Sequence, residues 1–218
     1  YLALNKHGYV PTLVHDGLVL TESRLISEYL EDAFPAQPLL PASAAERWQV
    51  RSWTKQIDDS LHLNVYILSF VTSFRAMYLG LSPEGQQRYL PLDPIKRMIT
   101  LELAERAAES PFFARATHRF RTMLEGMEHA LAGHEWLAGD RLTLADVDYT
   151  PYLRRLQELG YWQVVAGRYP NVARWFAAMR SRPSFDTALT AWETVADRER
   201  EARDIERAHP LFSAALAA

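Results

Sequence analysis

The chain of 218 residues contains no cysteine, so it forms no disulfide and no thiolate metal site of its own. Its formal net charge is −3, and it has no long run of like charge. Both features argue against a nucleic-acid-binding surface. The longest apolar stretch, around residues 65–71, is far too short to span a bilayer. We therefore expect neither nucleic-acid nor membrane partners, and a cytoplasmic location suits this composition.

Metal-binding patterns are also missing. His134-Glu135 begins as a zinc-binding H-E-x-x-H motif does, but Ala138 stands where the second histidine is required. The adjacent residues Asp58 and Asp59 diverge around a helix, so they do not form a shared carboxylate site. We predict no metal site.

Hydrophobic residues make up 48% of the chain, which is enough for a substantial core. The first part predicts a hairpin, because apolar β-prone residues 12–15 and 18–20 flank the turn signal Asp16-Gly17. A helical apolar stripe follows and ends before Pro35. A proline-rich joint over residues 35–41 then leads into a part that is helical throughout.

The helical part is predicted from its apolar spacing. One long helix is expected over residues 44–78, and Pro94 and Pro111 each suit the first turn of a later helix. Two further apolar stripes mark core faces. Their members are Phe113, Phe120, Met127 and Leu131 in one stripe, and Val172, Trp175, Phe176 and Met179 in the other.

Two short features near the start could hold a ligand. A cis bond between Val10 and Pro11 would turn the backbone sharply and leave the main chain of Val10 free to pair with a bound peptide. Glu22 and Ser23 stand at a helix start, where free N–H groups favour a carboxylate and Glu22 can accept from an ammonium. Taken singly, these features are an ordinary turn and an N-cap. Together, in this order, they favour a site for a small peptide-like anion.

At these residues the sequence resembles the glutathione S-transferase family. The stretch NKHGYVPTL at residues 5–13, followed by Glu22-Ser23, is similar to the family's glutathione-binding segment, although Lys6 stands where proline is usual. The stretch AGDRLTLAD at residues 138–146 resembles the signature of the family's helical domain. Within it, Thr143 is a good N-cap and Asp146 can close a capping box, which is a folding device.

The resemblance implies roles for individual residues. Val10 would pair through its backbone with the cysteinyl part of glutathione, and Pro11 would be cis. Glu22 and Ser23 would hold the γ-glutamyl end, with help from Arg24. The family's members act as homodimers on small electrophilic molecules. By resemblance, we expect a second copy of the chain and a small-molecule electrophile as partners.

A narrower likeness points to the bacterial β-etherase branch, whose members cleave aryl ethers with glutathione. It covers residues 23–35, 53–58 and 90–94. The resemblance also places an electrophile pocket beside the long helix, and its candidate residues are His62, Tyr66, Tyr149 and Tyr152. These side chains could instead pack the helix bundle, and packing is the preferred role for Phe70. Trp162 is a further candidate from the facing helix.

The expected fold class is α/β plus all-α, with an incomplete thioredoxin-like domain followed by an all-helical glutathione-transferase domain. We assign residues 1–35 to the first domain, 36–43 to a linker and 44–218 to the second. The family's thioredoxin-like domain begins with a β-α-β unit that carries the thiol-activating residue. That catalytic residue is therefore expected upstream of Tyr1.

Three functions fit these patterns. The favoured one is a glutathione-dependent transferase that directs the glutathione thiolate at an apolar or aromatic electrophile, such as an aryl ether. The alternative is a non-catalytic binding or assembly module on the same scaffold, although such a module does not need the Glu22-Ser23 pair. The third is a redox protein with an upstream cysteine.

Overall fold

The computed structural model describes residues 1–217, with side chains at all of them except 205–209, 211–213 and 215–217. A hairpin of two strands is followed by twelve α-helices in this described part. The strands are β1 Thr12–His15 and β2 Leu18–Thr21. The helices are α1 Ser23–Ala33, α2 Ala44–Gln56, α3 His62–Ser69, α4 Arg75–Leu79, α5 Pro83–Tyr89, α6 Pro94–Arg106, α7 Pro111–Leu131, α8 Leu144–Glu158, α9 Trp162–Arg168, α10 Pro170–Arg180, α11 Pro183–Ala188 and α12 Val195–Ala217.

The predicted hairpin is confirmed. The strands β1 and β2 pair antiparallel, with Thr12 opposite Thr21. Asp16 and Gly17 have φ angles of 49° and 79°. Positive φ at both central residues is required by a two-residue turn of the favoured hairpin type.

Helix α1 follows the hairpin and ends at Ala33, just before Pro35, as its sequence predicts. Ile26 is its buried residue. The Glu31 carboxylate accepts hydrogen bonds from the backbone N–H groups of Leu39 and Leu40, at 2.7 and 2.8 Å. This contact fastens the proline-rich segment to α1.

The long helix predicted over residues 44–78 is present, but it is not uniformly α-helical. Two π-helical turns, Ile57–Leu61 and Phe70–Phe74, separate α2 from α3 and α3 from α4. A π-turn accommodates an extra residue and is frequent at functional sites. The apolar spacing of the sequence did not reveal these turns.

The core lies among the helices, and both predicted core stripes are buried in it. Phe70 is also fully buried, which confirms its packing role. Pro94 and Pro111 occupy the first turns of α6 and α7, as predicted. Within the described residues, no helix has both the length and the apolar composition needed to cross a membrane.

The capping box at the start of α8 is confirmed, and its carboxylate does more than cap the helix. Asp146 is fully buried. One oxygen accepts from the backbone N–H of Leu137 at 2.9 Å and from the indole N–H of Trp175 at 2.8 Å. The other accepts from the N–H and the hydroxyl of Thr143. Burial raises the pKa of Asp146, and these hydrogen bonds oppose that shift.

We expect Asp146→Ala to lower the free energy of unfolding by about 3 kcal/mol or more, because it strands several buried donors without an acceptor. For a chain of this size, that loss corresponds to a Tm lower by about 6–12 °C in a thermal melt. Asp140→Ala is the matched control, because Asp140 lies in the same segment with its side chain 86% exposed. Equal losses in the two variants would contradict a structural role for Asp146.

Candidate active site

A cavity of about 950 Å³ lies between the hairpin segment and the helices α3 and α8. It brings together most of the residues that the sequence singled out. Those on its wall are Val10, Pro11, Glu22, Ser23, Arg24, His62, Tyr66 and Tyr152.

The Val10-Pro11 bond is cis, as the resemblance implies. Val10 is 82% exposed. Neither its N–H nor its C=O has a hydrogen-bond partner among the described residues. The main chain of Val10 is therefore open to a ligand that enters the cavity.

The start of α1 forms the adjoining part of the wall. Glu22 is the residue before the helix and has a φ of 69°, a strained conformation for a residue other than glycine. No side chain caps this helix, so Ser23 does not act as an N-cap. The first N–H groups of α1 have no acceptor within the helix, and they remain available to an anion.

Arg24 is held beside these groups by ion pairs. Its guanidinium lies 2.8 Å from the Asp58 carboxylate and 3.8 Å from that of Glu28. Asp59 pairs instead with Lys55 at 2.6 Å, so the two adjacent aspartates diverge as predicted. Arg24 thus joins α1 to the π-turn that precedes α3.

The opposite wall is largely aromatic and apolar. The Tyr66 hydroxyl lies 2.5 Å from the hydroxyl of Thr100. The Tyr152 hydroxyl lies 3.4 Å from Nδ1 of His62. Burial raises the pKa of Tyr66, and it raises that of Tyr152 to about 12 with help from the nearby carboxylates of Asp58 and Asp148. Both phenols are therefore neutral at physiological pH.

Two aromatic residues that were expected at the pocket do not line this cavity. Tyr149 is fully buried, and its hydroxyl donates to the backbone oxygen of Trp53 at 3.2 Å. Trp162 packs against Phe176 in the core, with ring centroids 4.8 Å apart. The pocket prediction is corrected for Tyr149, because α8 turns Tyr152 towards the cavity instead. It is corrected for Trp162 as well, because α9 packs this side chain against the core.

Several residues of the cavity wall were not predicted as site residues, among them Asn5, Tyr9, Asp148 and Arg155. Arg155 donates to the Ser69 hydroxyl at 2.9 Å, and its guanidinium lies 5.5 Å from the centre of the Phe74 ring. Asp148 and Arg155 could have been found by following the helical face of Tyr152, because residues three and four apart share a face.

Asp148 is the cavity's unusual carboxylate. It has no hydrogen bond or close ion pair among the described residues. Burial raises its pKa to about 6, and the charges of Asp58 and Glu28 add to the rise while Arg24 opposes it. An ionised Asp148 therefore destabilises the fold at neutral pH. Among the described residues, no cluster of histidine or carboxylate side chains could hold a metal ion.

We expect Asp148→Asn to stabilise the protein at pH 8 by about 1–2 kcal/mol, because it removes a charge that burial disfavours. The folded state binds the Asp148 proton more tightly than the unfolded state does. The gain should therefore shrink as the pH falls through 6 and vanish below about pH 4, where aspartate is protonated in both states. Urea unfolding across this pH range measures the difference in the free energy of unfolding between the variant and the wild type. A difference that does not change with pH would contradict a raised pKa for Asp148.

The chain matches two family models. Residues 1–38 match the N-terminal domain of glutathione S-transferase, and residues 99–183 match its C-terminal domain. Together the two models match more than half of the chain.

Individual proteins agree with these matches. Protein LigF of Sphingobium sp. strain SYK-6 is 27% identical over 188 residues, covering 83% of this chain and 73% of that protein. Glutathione S-transferase 3 of Zea mays is 29% identical over 195 residues, covering 88% and 75%. The crystal structure of β-etherase LigF shares the fold, with a TM-score of 0.75 at 24% identity, over 87% of this chain and 81% of that one. From the matches to both domains, we conclude that the chain belongs to the glutathione S-transferase family.

Proposed function

We propose that the cavity binds glutathione along the hairpin side and presents its sulfur to an aromatic electrophile on the helical side, with aryl ethers as the substrate class. The observation that carries the proposal is that one cavity contains both an open peptide-pairing edge and an aromatic wall. Pockets for single small ligands span roughly 300–1,000 Å³. A cavity of about 950 Å³ lies near the upper end of this range, so its volume is compatible with a tripeptide and a small electrophile bound together.

The residues on the hairpin side fit glutathione. The free main chain of Val10 suits the peptide group of the cysteinyl part, because an extended ligand pairs with an open backbone edge. The start of α1 suits the γ-glutamyl carboxylate, with the Ser23 hydroxyl as a further donor. The exposed carboxylate of Glu22 suits the ammonium, and Arg24 adds positive charge nearby.

Bound glutathione supplies the thiolate nucleophile of the transfer reaction. The chain's own contribution is to hold the tripeptide and to offer the electrophile a surface of aromatic and aliphatic side chains. Val65, Tyr66, Phe74, Pro151 and Tyr152 provide that surface. Apolar walls with a few polar groups are typical of small-molecule sites.

The choice of aryl ethers is supported by the similarity to LigF over most of both chains. An aromatic wall suits such substrates, because aryl rings pack well against tyrosine and phenylalanine. We further propose that residues 1–35 and 44–218 form two domains joined by residues 36–43, and that the protein is a homodimer in the cytoplasm.

We expect Ser23→Ala and Glu22→Gln each to weaken glutathione binding by about tenfold or more. Ser23→Ala removes a donor to the γ-glutamyl carboxylate, and Glu22→Gln removes the charge that pairs with the γ-glutamyl ammonium. Isothermal titration calorimetry on the intact protein measures the Kd. Glu22→Gln is preferred to alanine because it keeps the length of the side chain and removes only the charge.

Ser27→Ala is the matched control for Ser23→Ala. Ser27 lies one turn later on α1, and its hydroxyl is already bonded to the Ser23 carbonyl at 3.0 Å. No binding by the wild type at millimolar glutathione, or unchanged binding in both site variants, would refute the assignment. If the protein binds glutathione but the glutathione thiol is not consumed when an electrophile is added, the protein is a non-catalytic binding module.

A further inference from the structure

We propose that Tyr152 donates a hydrogen bond to the oxygen that leaves the electrophile, and that His62 orients the Tyr152 hydroxyl for this task. The inference rests on the proposed function, because it assigns residues to the leaving-group end of the same cavity. It adds a catalytic residue, Tyr152, and a positioning residue, His62, to the binding residues of the hairpin side.

The two side chains lie next to each other on the helical wall of the cavity. His62 projects from α3 and Tyr152 from α8, and both line the cavity. Nδ1 of His62 and the Tyr152 oxygen are 3.4 Å apart, which is long for a hydrogen bond. Active-site hydrogen bonds are often loose without substrate and tighten when it binds. The imidazole can donate to the phenol oxygen, and this leaves the phenol hydrogen for a ligand.

Tyr66 lines the same cavity but cannot play this part. The hydroxyl of Thr100 donates its single hydrogen to the Lys96 carbonyl at 2.7 Å. The 2.5 Å bond between Tyr66 and Thr100 must then use the hydrogen of Tyr66. Tyr66 has no hydrogen left for a ligand, whereas the hydrogen of Tyr152 is not committed to a close acceptor.

The proton stays on Tyr152 during the reaction. Burial and the carboxylates of Asp58 and Asp148 raise its pKa to about 12. A phenol released from an aryl ether has a pKa of about 10, so it does not take the proton from Tyr152. Tyr152 therefore acts as a hydrogen-bond donor and not as a general acid.

The step balances without any further reactant. The glutathione sulfur forms a bond to the ether carbon, and the carbon–oxygen bond breaks. Its electron pair remains on the aryl oxygen, where negative charge develops and the hydrogen bond from Tyr152 becomes stronger. The product leaves as a phenolate and takes its proton from water.

The test compares two ketones that are attacked at the same carbon, 2-phenoxyacetophenone and 2-chloroacetophenone. Phenoxide leaves through oxygen and needs a donor, whereas chloride does not. We expect Tyr152→Phe to lower kcat/KM about 100-fold for the phenoxy substrate and less than about threefold for the chloro substrate. The affinity for glutathione should stay unchanged. Tyr66→Phe is the matched control, because it also removes a cavity hydroxyl, and it should leave the ratio of the two kcat/KM values unchanged.

His62 is tested by its own pair of variants. His62→Leu should lower the phenoxy-to-chloro ratio about tenfold, because Tyr152 loses its orienting partner. His62→Asn should keep most of the wild-type phenoxy-to-chloro ratio, because the asparagine amide places a donor near the position of Nδ1. Equal ratios in the two variants would overturn the role of His62.

A binding measurement gives a readout that is independent of turnover. With 4-nitrophenol bound in the cavity, a donor at Tyr152 stabilises the phenolate and lowers the pKa of the ligand. We expect Tyr152→Phe to raise this bound pKa by about one unit in an absorbance titration, and Tyr66→Phe to leave it unchanged.

The outcomes separate this inference from the function on which it rests. The role of Tyr152 is overturned if Tyr152→Phe lowers kcat/KM equally for the two ketones. It is also overturned if the wild type turns over only the chloro substrate. Glutathione transfer stands in both cases. Absence of glutathione binding in the wild type overturns both.

Discussion

The buried carboxylate of Asp146 is the contact on which the cavity's helical wall depends. It joins the start of α8 to the segment at Leu137 and to Trp175 of α10. A buried carboxylate is costly unless its oxygens are fully hydrogen-bonded. The arrangement therefore tolerates little displacement of any of the three segments. Because α8 is fixed at its first turn, the direction in which its later side chains point is fixed as well.

The same helix start connects the two parts of the chain. The backbone N–H of Leu144 donates to the carbonyl of Leu39 at 3.2 Å, and the N–H of Leu39 is held by Glu31 of α1. The hairpin side of the cavity is thus tied through the proline-rich segment to the helix that carries Tyr152. Arg24 provides a second tie through Asp58. The distance between the two walls of the cavity is therefore set by hydrogen bonds and ion pairs at its edges.

Features that depend on neighbouring residues were predictable from the sequence. The Asp16-Gly17 turn and the Thr143–Asp146 capping box follow from the chemistry of a few adjacent side chains. The hairpin side of the site was predictable through its resemblance to a known segment. The helical wall was harder, because periodicity shows which residues share a face but not which face meets the cavity. Tyr149 was misplaced and Asp148 was missed for this reason.

The two π-turns lie at either end of α3, the helix that carries His62, Tyr66 and Ser69 into the cavity. Each residue added to a helix rotates all later side chains by about 100° around the helix axis. A π-turn absorbs such an added residue locally, so α3 can face the cavity while α2 and α4 keep their own packing. Deleting one residue inside either turn would return that stretch to α-helix and leave the flanking helices in register. Only residues within the turns would change position at the cavity wall, such as Asp58 in the first and Phe74 in the second. The scaffold thereby allows a small change of cavity lining without repacking of the helical core.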